Sequence, residues 1–384
     1  MQLSVIILNY NVRFFLELCV LSVQNATKNI DAEIIVIDNK SQDDSCAMMK
    51  QRFPNVKLIE NKENSGFPKG NNIGVAVAQG EYICILNPDT VVAEDTFTKV
   101  LAFAKKQKEM GIVGVKLIDG TGNFLPESKR GIPTPFVAFT KITGLYKIFP
   151  NKFGKYYAQH LSENQTGQVE ILVGAFMFMK RDLYNEIGGF DENCFMYSDD
   201  IDLSYMALKK GKSNYFFHET SVIHYKGEST IKDGAYMNRF QEAMNFFYKK
   251  HFRVSFLFSI FMKIGIVFFS LVKMVQGKPK PKSSPKYFIL VSDPEASGEV
   301  LRGKLENQLG KLVKLQNITK SFAENANTEI IFDQNHLNFK TIIKTTEANK
   351  NKGFTFKILP ESSDYVIGSN SSFDRGEVIK IQDF

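Results

Sequence analysis

Apolar and polar positions along the first hundred residues alternate between two textures. Unbroken apolar runs at 3–8, 33–38, 56–59 and 82–86 predict strands buried on both faces, and helix-compatible segments at 13–25, 44–52 and 69–78 separate them. Strand–helix alternation with continuous apolar strands predicts an α/β fold built on a mostly parallel sheet covered by helices. A fifth run at 112–118 follows a helix-like stretch at 95–108. From 120 to 168 the pattern loosens into Gly, Pro and aromatic residues, a long connection of the kind that often serves as a functional flap. Order returns at 169–179, in a helix at 199–210 ended by Gly211, and in strand-like runs at 215–217 and 221–225.

Residues 254–272 are almost wholly apolar, interrupted by Lys263. Their length suits a bilayer span. At about 100° per residue, however, Ser255, Ser259, Lys263, Ser270 and Lys273 gather on one arc. A polar stripe on an apolar helix favours a helix lying in the membrane interface, with a spanning helix and a buried helical hairpin as the other readings. The segment GKPKPKSSP, 277–285, reads as a linker. Beyond it, strands at 287–292, 313–316, 329–333, 354–359 and 365–369 with helices at 299–309 and 338–349 predict a second, small α/β unit. It is Rossmann-like, but Ser292-Asp293-Pro294 stands where a Gly-rich phosphate loop would be, so an interaction or structural role is expected rather than nucleotide binding. The expected division is 1–235 for the larger domain, 236–276 for a helical membrane-association segment, 277–286 for the linker and 287–384 for the small unit.

Length and charge sharpen this picture. At 384 residues the chain exceeds what one hydrophobic core usually holds. The net charge of +7 is uneven: Lys249, Lys250, Arg253, Lys273, Lys278, Lys280 and Lys282 bracket the apolar segment. Basic flanks around apolar sequence favour an anionic membrane surface, and no nucleic-acid-binding motif accompanies them, so no nucleic-acid partner is expected. The four cysteines have no metal-type spacing, which suits reduced thiols in the cytoplasm. Met1 leads straight into a strand-like run without a signal-peptide pattern. The expected location is cytoplasmic and peripheral, on the inner face of the cell membrane.

Candidate chemistry concentrates at strand ends. Asn87-Pro88-Asp89 follows the run 82–86, so Asp89 should face the crevice where open α/β sheets bind ligands. A phosphate-carrying divalent metal needs one or two carboxylates there, although Asn-Pro-Asp is also ordinary turn chemistry. Asp38, at the end of the second strand, can accept from a nucleoside, or simply form a turn before a helix capped by Asp43 or Ser45. Residues 63–74 combine glycines, amides and Lys69 at a helix start, where backbone N–H groups could face a diphosphate or close a tight turn. Asp199, Asp200 and Asp202 fall on the first turn of a helix capped by Ser198. Dipole complementarity alone explains acids there, and a general base projecting into the cleft is the functional alternative. His224 ends a short strand, where an imidazole beside a carboxylate–metal–phosphate site is a plausible further ligand.

Taken in order, the segments Ser4-Val5-Ile6-Ile7-Leu8-Asn9-Tyr10-Asn11, Ile37-Asp38-Asn39, Asn64-Ser65-Gly66-Phe67, Gly70-Asn71-Asn72-Ile73-Gly74, Leu86-Asn87-Pro88-Asp89, Gly174-Ala175-Phe176, Gly188-Gly189-Phe190-Asp191-Glu192, Asp199-Asp200 and His224 through Ser229 resemble the inverting family 2 glycosyltransferases of GT-A fold, in particular a rhamnosyltransferase-like bacterial subgroup. The resemblance spans roughly residues 1–250. It implies donor contacts from Asn9, Asn11, Asp38, Asn39, Gly66, Asn71, Asn87 and Ser229, and a metal, Mg²⁺ or Mn²⁺, on Asp89 and His224. Asp200 matches the catalytic base, with Asp199 its neighbour. The first acid of the family's DxD element is Asn87 here, which leaves one carboxylate rather than two. The implied partners are a UDP- or dTDP-linked sugar donor, a glycan or lipid-linked glycan acceptor, and the membrane surface. Two other classes stay open on the residues alone. A sugar-nucleotide nucleotidyltransferase shares the sheet architecture but would carry a Gly-rich basic loop after its first strand, where Asn9-Tyr10-Asn11 stands. A non-catalytic, membrane-docked binding module would have no need of Asp89, Asp200 and His224 together.

Overall fold

β1 (Leu3–Asn9) is buried at every position because it runs inside the larger sheet, hydrogen-bonded in parallel to β2 (Ala32–Asp38) on one side and β4 (Tyr82–Leu86) on the other. The structure is a computed structural model, and it describes residues 1–134, 136–137, 140, 144–149, 152, 154–226, 234–252, 284–293, 296–320, 322, 327–370 and 376–381. β3 (Lys57–Glu60) extends the parallel half beyond β2. On the other side β8 (Phe176–Lys180) inserts antiparallel between β4 and β6 (Met110–Ile118). β9 (Ser213–His224) runs parallel to β6, while the two-residue β5 (Thr90–Val91) and β7 (Gly167–Val169) pair antiparallel with β9. The nine strands form one mostly parallel sheet, as the apolar runs predict.

Three local departures follow from physics the periodicity does not carry. The apolar run at 169–179 divides, because β7 serves the edge of β9 while β8 crosses into the middle of the sheet. The two runs at 215–217 and 221–225 join into one long strand with a register shift between Val115 and Lys116 of its partner. Ser198 stands at the N-cap position of the helix Asp199–Lys209 without a capping hydrogen bond, its hydroxyl lying 3.2 Å from Cys194 Sγ instead.

The small unit has its own sheet, β11-β10-β12-β13-β14-β15 in order. Its strands are β10 (Tyr287–Val291), β11 (Val313–Gln316), β12 (Thr328–Asp333), β13 (Phe354–Leu359), β14 (Tyr365–Gly368) and β15 (Glu377–Lys380). It does not hang free behind its linker. Phe14 packs edge-on against Tyr365 at 4.8 Å, and one continuous apolar core takes in Phe15, Val222 and Tyr225 of the larger unit together with Phe339, Ile343 and Ile367 of the small one. Polar contacts lock the seam: Glu94 accepts from the backbone N–H groups of Phe339 and Lys340, and Lys116 pairs with Glu347 at 2.6 Å.

The helix Gly234–His251 runs across the expected boundary at 235/236, and its Met244, Phe247 and Tyr248 pack against Ile171 and Ile201. Among the described residues no helix is long and apolar enough to cross a membrane. The candidate membrane segment 254–272 and most of the linker lie outside the described residues.

Candidate active site

Four chain segments meet at the same edge of the larger sheet, two as strand ends, one as a strand start and one as a helix start. Asn87 to Asp89 leave β4, and β8 begins beside them, with Asn87 N–H donating to Ala175 O at 3.1 Å. β9 ends at His224 on that edge, and the helix Asp199–Lys209 starts above it. Between them lies a cavity of about 340 Å³ whose wall includes Asn39, Gly66, Asn87, Asp89, Asp199, Asp200 and His224.

Asp89 is 4% and His224 6% exposed, and His224 Nε2 stands 3.4 Å from Asp89 Oδ1. The same nitrogen lies 3.4 Å from Asn87 Nδ2. The approach to Asp89 lacks hydrogen-bond alignment, so Asp89 Oδ1, Asn87 Oδ1 and His224 Nδ1 are buried without a hydrogen-bond partner among the described residues. Buried acceptors are normally satisfied, and an oxygen-rich cleft with vacant lone pairs suits a hard cation. Among the described residues no three His, Cys, Asp or Glu side chains converge as a metal site. A cation placed there would meet one carboxylate, one imidazole and an amide, and a phosphate and water would have to complete its shell.

The three acids of the helix start have separate partners. Asp200 Oδ2 accepts from Arg130 Nη2 at 2.6 Å and from the Gly174 N–H at 3.1 Å. Asp199 is pushed up to about 7, first by burial and second by the charge of Asp200. Asp202 turns away from the cavity to Lys250 Nζ at 2.8 Å and to His251. Lys226, on the cavity wall, pairs with Glu127; burial opposes that charge, but the ammonium beside it holds the Glu127 carboxyl below the usual carboxylate range.

Several sequence-predicted donor residues lie elsewhere. Asp38 is 2% exposed, and both its oxygens are used in a turn, by Ser41 N–H at 2.8 Å and Asn9 Nδ2 at 2.7 Å. It and Asn9 form the layer behind Asn39 rather than the cavity wall. Asn11 closes the same turn by accepting from Gln42 N–H at 2.6 Å. Asn71 is buried in its helix and donates to Phe67 O at 2.9 Å. The helix Gly66–Ala76 does not present open N–H groups to a diphosphate at its first two positions: Gly66 N–H donates to Asn64 Oδ1 and Phe67 N–H to Phe195 O, both at 3.1 Å. Gly66 itself has φ +77°, and a Cβ there would meet the Phe195 ring at 2.8 Å, so the turn that shapes this wall requires glycine. Ser229 lies outside the described residues.

Sequence reasoning missed Tyr10, the aromatic lip Phe195-Met196-Tyr197, and Arg130. Only the lip carried a signal, since aromatic residues directly before an acidic helix start have to pack over something. Nothing local marks Arg130, whose acidic partner is 70 positions away.

The sheet thus brings amide, carboxylate and imidazole groups together at one edge, around a single cavity. Residues 4–188 match Glycosyl transferase family 2, and this stretch of the chain belongs to that family. The chain is 27% identical over 247 residues to an N-acetylglucosaminyl-diphospho-decaprenol L-rhamnosyltransferase of Mycobacterium tuberculosis, covering 61% of this chain and 79% of that protein. It is 30% identical over 171 residues to a poly(ribitol-phosphate) beta-glucosyltransferase of Bacillus spizizenii, covering 43% of this chain and 26% of that protein. Among solved structures it is similar to GalNAc-T7 with UDP, GalNAc and Mn²⁺, at 18% identity and a TM-score of 0.49, over 64% of this chain and 48% of that one.

Proposed function

We propose that the protein is a metal-dependent inverting glycosyltransferase that moves a sugar from a UDP- or dTDP-linked donor to a hydroxyl of a lipid-linked or other glycan acceptor. The observation that carries this reading is the convergence of Asp89, His224 and Asp200 on one cavity. Asp89 and His224, with the Asn87 amide beside them, would hold a divalent cation, Mg²⁺ or Mn²⁺, against the donor diphosphate. When bound, such a cation offsets the charge of the leaving nucleoside diphosphate. Asp200 takes the proton of the acceptor hydroxyl while that oxygen attacks the anomeric carbon from the face opposite the leaving group. The bond from the anomeric carbon to the diphosphate oxygen breaks as the new glycosidic bond forms, so the configuration inverts without a sugar–enzyme intermediate. Phe195, Met196 and Tyr197 form the apolar lip on which a sugar ring can rest.

A lipid-linked acceptor is supported by the decaprenol-linked substrate named for the mycobacterial relative, and by the basic residues flanking 254–272. The same flanks support a cytoplasmic, peripheral position on the inner face of the membrane, with 1–235 carrying transfer, 236–276 surface attachment and 287–384, beyond the linker 277–286, bracing the transfer domain. The test is a screen of the full chain against UDP-, dTDP- and GDP-linked sugars with Mg²⁺ or Mn²⁺, reading metal-dependent binding and slow hydrolysis. Nucleoside diphosphate release from one donor supports the reading. Pyrophosphate release from a nucleoside triphosphate and a sugar phosphate, or no turnover of any donor, overturns it.

A further inference from the structure

We infer that Arg130 is a positioning residue for transfer: its guanidinium fixes one oxygen of Asp200 so that the other faces the acceptor hydroxyl. The inference rests on the reading of Asp200 as the base, and it adds a residue from the flap to that machinery.

The geometry is specific. Arg130 Nη2 donates both to Asp200 Oδ2 at 2.6 Å and to Leu172 O at 2.8 Å. The two side chains are 10% and 12% exposed. Asp200 Oδ2 also receives the Gly174 N–H, so this oxygen is held from two directions, while Oδ1 has no hydrogen-bond partner among the described residues. Arg130 is itself fixed by its backbone, which exchanges two 2.9 Å hydrogen bonds with Ile171. It lies outside the wall of the cavity that holds Asp89 and Asp200 and lines a separate one, so it acts on the reaction through Asp200 and not by touching substrate.

Charge gives the arrangement a second effect. Asp199 and Asp200 are adjacent, buried carboxylates, and two such groups resist ionising together. Arg130 is the cation set against them from the flap. Burial works against its charge, yet Asp200 beside it keeps its proton affinity above the ordinary value. Its charge also draws down the proton affinity of Asp199. Tyr156, Tyr157 and Glu127 also lie around Arg130, and Glu127 is already paired with Lys226. Asp202, on the same helix, is neutralised by Lys250 and His251. Loss of Arg130 therefore leaves the adjacent carboxylates facing each other without the cation that is paired to Asp200 among the described residues, and Asp199 loses a charge that lowers its proton affinity.

The test compares the full-length protein with Arg130→Gln, Arg130→Lys and Asp200→Asn, using the nucleotide sugar that the unmodified protein hydrolyses fastest in the panel above. For Arg130→Gln the expected result is a fall in kcat of about a hundredfold with the donor KM held. Its acidic limb in the pH–rate profile should move to higher pH by about one to three pH units. Arg130→Lys should restore the position of that limb and recover only part of the rate, because an ammonium keeps the charge without the planar fork. If Arg130→Gln does not fold, as judged by thermal melting, Arg130→Lys decides alone: a reduced kcat on an unshifted limb supports the inference, and an unchanged kcat overturns it. An Arg130→Gln profile identical to that of the unmodified protein, beside an inactive Asp200→Asn, overturns the Arg130 role and leaves the function standing. Full activity of Asp200→Asn removes the base itself, and the Arg130 role falls with it.

Discussion

His224 Nε2 stands 3.4 Å from Asp89 Oδ1 because the two-residue strand β5 pairs antiparallel with the end of β9 and sets Thr90 opposite His224. A strand too short to stabilise anything on its own thus joins two halves of a candidate metal site. Asp89→Ala and His224→Ala are each expected to weaken Mn²⁺-dependent binding of UDP or dTDP. The loss should exceed the roughly 10–100-fold that an outer hydrogen-bond partner of a metal ligand is worth. Calorimetry with and without Mn²⁺ reads this directly, and unaltered metal dependence in Asp89→Ala would exclude the pair as ligands.

Asp200 offers the sharpest kinetic expectation. Asp200→Asn keeps the shape of the side chain and the Gly174 contact but cannot accept a proton. Turnover should fall by at least about a hundredfold, the usual scale of a general base, while nucleotide binding is retained. Transfer at a normal rate by this variant would remove Asp200 from the mechanism.

Asp199 makes stability depend on pH in a stated direction. Its carboxyl is pushed up to about 7 by burial and by Asp200, above the ordinary aspartate value of 3.8. Between those values the folded protein holds a proton that the unfolded chain releases, so the contribution is complete below the lower value and disappears as pH rises through the upper one. Urea unfolding should therefore show Asp199→Asn gaining on the unmodified protein from about pH 4 to about pH 7. A pH-independent difference between the two would contradict the assignment.

Glu94 caps a helix that belongs to the other α/β unit. Its two oxygens accept from Phe339 N–H at 2.7 Å and Lys340 N–H at 2.8 Å, at the dipole-positive end of the helix Phe339–Ala348. Glu94→Ala should destabilise the whole chain by roughly 2 kcal/mol, since hydrogen bonds to a charged group contribute about 1.5–3 kcal/mol. Differential scanning calorimetry should show one transition at lower temperature, with nucleotide binding unchanged. Separate melting of the two units in the unmodified protein would refute a shared core.

Removal of residues 254–275 should release the protein from vesicles of anionic lipid. Equal co-sedimentation of the shortened and full chains would argue against attachment through this segment.

The strands were legible because burial on both faces writes a continuous apolar run, as at Tyr82–Leu86, where every residue is buried. The candidate site was legible where a residue sits directly behind such a run, as Asp89 does. It was illegible where hydrogen bonding rather than position decides. Asp38 ends a central strand just as a ligand-facing acid would, yet Asn9 and Ser41 claim its oxygens, and the choice between turn and ligand depends on partners 29 and 3 positions away. Thr90–Val91 leaves no periodicity at all, since two residues cannot alternate. The docking of the small unit was equally hidden: composition marks the linker at 277–285 but says nothing of Phe14 meeting Tyr365 across it.

That aromatic pair bears on how such enzymes diversify. A carboxy-terminal unit tethered only by a flexible connector could be exchanged between relatives without touching the rest of the gene. Here an exchange would bare Phe14 and orphan Glu94, so a replacement has to bring a matching aromatic and a matching helix start. The small unit and the first helix of the larger one therefore answer to a single packing constraint, and a graft that ignores it should expose both faces to solvent.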